Sequence, residues 1–482
     1  MINYKLILKI LGALLVLEGL FLFLSMLVAA FYGGGDLPAL VISTLITLFA
    51  GSILFGSFLR AAPSMGKREG YIIVSMVWVV ISFFGMLPFL ISGAIPNVTD
   101  AYFETISGFT TTGATILNDI EALPHGLLFW RSLTQWLGGM GIIVLSLAIL
   151  PLLGIGGMQL FVAEVPGITP DKLHPRVRET AKRLWGIYLF FTLTEALLLY
   201  IAGLTPYDAI NHAFTTMATG GYSTKQASAA AFSPLIQYIL ILFMFLAGTN
   251  FTVSHMALNG KFRSVVRNEE FRYYIGFILF FTFTITLGMA LKGSGPFETS
   301  FRNALFQVVS LMTTTGYATD DYLLWGKALS TLAFVVMFIG GSAGSTGGGM
   351  KVIRLMILMK NSYLEFKRLL HPNAVVPVRI NKRAVQPFII NKVLAFIGFY
   401  LLIFGFGTAV MTTLDMDLNS AMGATIATLG NIGPGIGAVG PMENFAPIHD
   451  LGKWFLSFLM LVGRLELFTV LILFSPAFWA NR

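Results

Sequence analysis

Long, unbroken apolar stretches dominate the chain, and polar residues collect in short segments between them. Runs with the length of a bilayer crossing lie at 8–31, 39–59, 70–93, 128–152, 184–203, 234–258, 271–291, 328–345, 388–412 and 453–474. About 20 apolar residues in helical form cross a hydrocarbon core. The runs are continuous rather than alternating, which argues against an outer-membrane barrel. The pattern therefore predicts an all-α polytopic membrane protein with about ten spans. The eighth run is irregular, because a glycine-rich patch interrupts it before apolar sequence resumes at 352–359.

The polar segments alternate in sign. Basic residues cluster between spans two and three (Arg60, Lys67, Arg68), four and five (Lys172 to Arg183), six and seven (Lys261 to Arg272) and eight and nine (Lys351 to Lys392). The opposite loops carry acids such as Asp100, Asp208, Glu298, Asp320, Asp417 and Asp450. The positive-inside rule puts the basic loops and both termini in the cytoplasm. An acidic outer face would concentrate cations at a pore mouth; topology bias with solubility explains it equally well.

Composition narrows the class. Of 482 residues 56% are hydrophobic and 11% charged, which excludes a soluble enzyme, a disordered chain and a fibrous protein. The net charge of +8 is dispersed among the spans, so it marks cytoplasmic loops and not a nucleic-acid footprint. With no cysteine there is no disulfide framework or thiolate site, and the six histidines show no paired spacing. No intramembrane Ser/His, Asp/Asp or metal constellation suggests an enzyme. The first run is long enough to remain in the membrane and lacks a small-residue cleavage site. Trp130, Trp136 and Trp454 near span ends read as interfacial anchors. Asn97-Val98-Thr99 and Asn250-Phe251-Thr252 match a glycosylation pattern by chance.

Four outward segments are too long and apolar to be connectors: 100-DAYFETISGFTTTGAT-115, 208-DAINHAFTTMATGGYST-224, 303-NALFQVVSLMTTTGYAT-319 and 417-DLNSAMGATIATLGNIGPG-435. Each has about ten residues of helical character and then a Thr/Gly turn. Aligning Gly113, Gly220, Gly316 and Gly433 spaces the copies by 107, 96 and 117 residues. That recurrence predicts four span–half-helix–loop–span units, over 66–155, 180–262, 268–365 and 385–482, after two peripheral spans in 1–65. Half-helices this short cannot span, and irregular backbone at membrane depth survives only where it is buried or lines water. Four such loops around one pore, in a pseudo-four-fold array, would present rings of carbonyls able to replace a cation's hydration shell. Glycine supplies the required backbone angles. The turns lack acidic side chains, which suits a monovalent cation.

SGFTTTGAT, ATGGYST, MTTTGYAT and ATLGNIGPG resemble the four pore loops of the Trk/Ktr/HKT potassium-transporter superfamily. FWRSLTQWLGGMGIIV (129–144), FIGGSAGSTGGGMKVIR (338–354), RLLHPNAV (368–375) and LVGRLELFTVLILF (461–474) resemble its TrkH-type membrane subunits, over essentially the whole chain. The resemblance implies a potassium filter formed by Thr110, Thr111, Thr112 and Gly113; Ala218, Thr219, Gly220 and Gly221; Thr313, Thr314, Thr315 and Gly316; and Asn431, Ile432 and Gly433. Glycine in all four loops resembles the potassium-selective branch. The second and fourth copies depart from TTTG, so some sodium passage is expected.

The segment Gly340, Gly341, Ser342, Ala343, Gly344, Ser345, Thr346, Gly347, Gly348, Gly349, Met350, Lys351 cannot form a regular lipid-facing helix. A phosphate loop fails, because no G-K-[ST] follows and no strand precedes; a close-packing glycine patch is the other reading. The resemblance implies an intramembrane gating loop beneath the filter. Arg464 lies within the last span, where a guanidinium must face water or a partner. Glu466, two residues on, does not share its helical face. The resemblance makes Arg464 an electrostatic barrier in the pore. Glu195 is also intramembrane and receives no role. The family further implies potassium as the bound and transported ion, no cofactor in this chain, a homodimer, a cytosolic TrkA-like regulator ring binding NAD or ATP, and the bacterial cytoplasmic membrane. A potassium symporter coupled to protons or sodium is the alternative.

Overall fold

The computed structural model describes residues 2–62, 66–141, 177–293, 295–374 and 376–480. Six helices there are long and apolar enough to cross a membrane: Tyr4–Tyr32, Leu37–Ser57, Arg68–Ile91, Lys182–Ile201, Glu269–Leu291 and Pro387–Thr413. Two further stretches are sharply bent. Pro234–Ala247 meets Phe251–Leu258 at 109°, and Asp450–Arg464 meets Phe468–Phe474 at 110°. The ten expected spans thus become six among the described residues, or eight if each bent pair is one crossing. The expected fourth span starts as the helix His125–Trp136 and a π-turn over Leu137–Gly141, then leaves the described residues. The eighth is helical only over Lys327–Val336. The glycine run beyond it has too few side chains to favour helix over extended backbone.

The bends have local causes. At the first, Asn250 starts a new helix by accepting from the Thr252 amide at 2.8 Å. At the second, Glu466 and Leu467 both adopt φ of +56°. Arg464 therefore lies not in mid-helix but at the last position before a break. In the first helical pair, Gly12 and Gly51 bring Tyr4–Tyr32 and Leu37–Ser57 so close that a β-carbon on either would touch the opposing backbone, the small-residue contact typical of apolar helix pairs.

Four shorter helices are buried inside these: Val98–Phe109, Pro206–Met217, Phe297–Thr313 and Leu418–Leu429, of 12, 12, 17 and 12 residues. Twelve residues extend about 18 Å, well short of a hydrocarbon core of about 30 Å. Three of the four amino ends carry a side-chain cap: Asn97 accepts from Thr99 at 2.8 Å, Thr205 from Asp208 at 3.1 Å and Asp417 from Ser420 at 3.1 Å; Pro296 precedes the third helix. The Ser420 hydroxyl and amide hold the Asp417 carboxyl below its usual range. Asp100, Asp208 and Glu298 add negative charge to the first turns, where it complements the helix dipole.

Both matches to the glycosylation pattern, Asn97 and Asn250, are helix caps. Two of the three tryptophans are not interfacial. Trp130 is fully buried and donates to the Gly85 carbonyl at 2.8 Å, and buried Trp136 donates to Thr192 Oγ1 at 3.2 Å. An indole with a satisfied N–H is good core material. Trp454 remains exposed and donates to Thr99 Oγ1 at 3.2 Å.

Candidate functional site

Each inner helix runs into a four-residue turn, and the four turns follow one backbone path. The second residue of each turn donates to the carbonyl three positions back: Thr111 to Gly108 at 2.9 Å, Thr219 to Thr216 at 2.8 Å, Thr314 to Leu311 at 3.1 Å and Asn431 to Thr428 at 3.2 Å. The third donates five positions back: Thr112 to Ser107 at 2.8 Å, Gly220 to Thr215 at 2.8 Å, Thr315 to Ser310 at 2.9 Å and Ile432 to Ala427 at 2.8 Å. The second residues have φ of +53°, +54°, +60° and +52°. The fourth are Gly113, Gly221, Gly316 and Gly433, with φ of +80°, +76°, +84° and +98°. Positive φ at the second and fourth residues thus recurs in all four turns, a conformation that glycine adopts at no steric cost.

This geometry corrects the alignment of the second copy. Its equivalent of Gly113 is Gly221, because Gly220 lacks the left-handed φ. Two adjacent glycines are indistinguishable in sequence, and only the backbone angle separates them. It also adds Gly430, which opens the fourth turn as the cap residue of Leu418–Leu429 and was not among the expected site residues.

The turns touch in sequence. A β-carbon on Gly113 would overlap the Gly220 carbonyl oxygen, one on Gly221 that of Thr315, and one on Gly316 that of Ile432. One on Gly433 would lie 2.8 Å from the Thr112 carbonyl oxygen, so the fourth turn closes on the first. In every case the fourth-position glycine of one turn abuts the third-position carbonyl of the next. Outside this ring, Tyr222 Oη donates to the Glu104 carbonyl at 2.7 Å, Tyr322 Oη to the Gly435 carbonyl at 2.5 Å and the Phe445 amide to the Thr115 carbonyl at 2.8 Å. Behind the first turn, Arg131 Nε donates to Glu104 Oε1 at 2.7 Å, and its guanidinium lies 3.5 Å from the Tyr222 ring centroid. Both charges are buried, and Glu104 also accepts from Thr115 Oγ1 at 3.0 Å and the Ile116 amide at 2.9 Å, so losing either partner would leave the other charge buried and uncompensated.

The glycine-rich segment lies against the carboxyl ends of the second, third and fourth inner helices. Thr346 Oγ1 donates to the Met217 carbonyl at 3.0 Å, and the Gly348 amide donates to Thr314 Oγ1 at 2.6 Å. A β-carbon on Gly347 would stand 2.7 Å from the Thr313 carbonyl oxygen, and one on Gly348 would meet that of Gly430. These glycines are needed because helix-end backbone fills the space. The segment is held at its edges: the Ser342 amide donates to the Gly248 carbonyl at 2.9 Å, and the Ala343 amide to Glu270 Oε1 at 2.6 Å. Gly340 pairs with Met350 at 2.8 Å, and the Lys351 ammonium with the Gly347 carbonyl. The break in Pro234–Leu258 thus frees a carbonyl for the segment to bond.

Arg464 reaches across the same level. Its guanidinium donates to the Thr346 carbonyl at 2.8 Å and to the carbonyls of Gly139, at 2.8 Å, and Gly138 in the π-turn. Gly138 packs on the Phe109 carbonyl at the end of the first inner helix. Glu466 pairs with Arg354, whose guanidinium lies 3.7 Å from the Phe396 ring centroid. The sequence-expected residues of the four turns, the glycine segment and Arg464 are therefore brought together. Glu195 is fully buried in Val177–Ile201. No group of three His, Asp or Glu side chains able to hold a metal occurs among the described residues. The oxygens the turns offer are carbonyls and hydroxyls without formal charge.

Comparison with known proteins agrees over the whole chain. The TrkH family, described as "Cation transport protein", matches residues 39–292 and 277–480. The chain is 43% identical to the Trk system potassium uptake protein TrkH of Salmonella typhimurium, and equally to that of Escherichia coli, covering 99% of both chains in each case. The crystal structure of the potassium transporter TrkH from Vibrio parahaemolyticus superposes with a TM-score of 0.88 at 39% identity, over 99% of this chain and 100% of that one.

Proposed function

Because the chain belongs to the TrkH family of cation transport proteins, and is a transport protein rather than an enzyme, we propose that it takes up potassium through a filter of backbone carbonyls. The observation that carries this reading is the closed ring of four turns, each glycine seated on the next turn's carbonyl. Carbonyl dipoles can replace the hydration shell of a dehydrated monovalent cation. The four inner helices add their partial negative ends below the ring. In this reading the four span–half-helix–span units stand in a pseudo-four-fold array around one pore, with the first two helices peripheral.

The glycine segment would be the gate. It lies on the helix ends where an ion leaving the filter must pass, and it is held by hydrogen bonds that can be exchanged singly. Arg464 would add a positive charge at the same level and oppose cation entry while the segment is in place. A cytosolic TrkA-like regulator binding NAD or ATP would draw the segment aside from the basic face, in a homodimer in the bacterial cytoplasmic membrane.

The test is growth. Expressed with its cognate regulator in a bacterium lacking its own potassium uptake, the protein should restore growth at low potassium. Failure to do so with protein present in the membrane overturns the reading. In liposomes, current reversal at the potassium equilibrium potential identifies conduction. Reversal elsewhere identifies coupled symport.

A further inference from the structure

We propose that Gln135 is a positioning residue for potassium discrimination, bracing the second turn in place of the threonine hydroxyls that brace the first and third. The inference rests on the carbonyl-filter reading above.

In the first turn, Thr110 Oγ1 donates to the Ile106 carbonyl at 2.6 Å and therefore accepts from Thr112 Oγ1 at 2.8 Å. The third turn repeats this: Thr313 Oγ1 donates to the Val309 carbonyl at 2.8 Å and accepts from Thr315 Oγ1 at 2.7 Å. A relay from helix to first residue to third residue thus fixes both turns. The second turn has Ala218 and Gly220 at these positions and no hydroxyl to make the relay.

Gln135 enters at this place from the helix His125–Trp136. Its Nε2 donates to the Gly220 carbonyl at 2.7 Å, and its Oε1 accepts from the Tyr222 amide at 3.0 Å. The two bonds straddle Gly221, the residue seated on the Thr315 carbonyl. A β-carbon on Gly220 would overlap the Gln135 amide, so the missing side chain and the inserted amide are two halves of one arrangement. Gln135 is fully buried, where an amide with both ends bonded holds its partners firmly. The fourth turn, lacking threonines, has a parallel solution: Asn431 Nδ2 donates to Thr112 Oγ1 at 3.0 Å and to the Met460 carbonyl at 2.9 Å.

In the snug-fit account of selectivity, a ring rejects the smaller sodium ion because its carbonyls resist closing around it. Releasing the second turn should therefore alter discrimination. Gln135→Leu keeps nearly the same volume and removes both bonds, and Gln135→Glu keeps the volume and removes the donor. In potassium and sodium flux measurements on each folded variant, the potassium-to-sodium permeability ratio is expected to fall roughly three- to tenfold, the scale of one or two hydrogen bonds. Combining Gln135→Ala with Ala218→Thr and Gly220→Thr installs the hydroxyl relay in the vacated space and should restore the ratio. A merely structural glutamine would move thermal stability without this rescue of selectivity. Gly113→Ser is measured alongside, because its β-carbon must strike the Gly220 carbonyl. If Gly113→Ser lowers the ratio while both Gln135 variants keep the wild-type value, this proposal falls alone. If Gly113→Ser leaves the ratio unchanged, the filter reading falls and the proposal with it.

Discussion

Arg464 shows how much one side chain can hold. Its guanidinium binds carbonyls on the glycine segment and on the π-turn after His125–Trp136. Each hydrogen bond from a charged group contributes about 1.5–3 kcal/mol. In the pore proposed above its charge would act as well: two unit charges ~6 Å apart at an effective dielectric of ~20 interact by about 3 kcal/mol, and pore water would lower that figure. Arg464→Ala is therefore expected to raise ion flux per folded protein, to lower the thermal midpoint, and to leave selectivity unchanged, because the turns above keep their contacts. Flux that stays at the wild-type level while stability falls would make Arg464 a structural tie only. At this scale the turns were largely legible in the sequence, since Thr-Thr-Thr-Gly marks the first and third and a glycine ends each of the other two. Three residues were not, Gly430 among them. The slip between Gly220 and Gly221 follows from adjacent glycines that differ only in φ. Gln135 was invisible because its partner lies 85 residues away, and nothing local distinguishes it from any other glutamine in an apolar span.

At the scale of elements, the short buried helices and the glycine segment depend on each other. The segment supplies amide donors to the Gly248 carbonyl and to Glu270, and its backbone fills the space at the ends of two inner helices. Deleting most of Gly344–Gly349 removes the part that carries Thr346 and Gly348, and with it the contacts to Met217, Thr314 and Arg464. Liposomes bearing this variant are expected to leak potassium without the regulator, with its preference over sodium retained. Low flux that still answers to the regulator would make the segment packing and not a gate. The helices themselves followed from hydrophobic run length, and the glycine interruption from composition. The bends did not. Glu466 and Leu467 adopt left-handed backbone without being glycine or asparagine, a conformation imposed by the surroundings at a cost of order 1–3 kcal/mol each. The same limit explains why, among the described residues, two of the apolar runs are helix pairs bent by 109° and 110°: hydropathy reports burial in an apolar medium, not straightness.

For the molecule as a whole, the governing feature is that the ring closes only through its last member. The Asn431 amide reaches Thr112 across 319 residues, and Phe445 meets Thr115 in the same way. While the chain is being made, the first turn exists for on the order of tens of seconds before its closing partner leaves the ribosome. During that interval, on the filter reading proposed above, the membrane would hold inserted helices but no completed filter. A nascent chain stopped after Thr413, before the fourth inner helix, is expected to insert and to give no potassium-selective flux in reconstituted vesicles. Selective flux from that fragment would show that three turns suffice. The late closure also makes the end of the chain decisive: a copy that stops short of Asn431 leaves Thr112 without the amide that joins the last turn to the first.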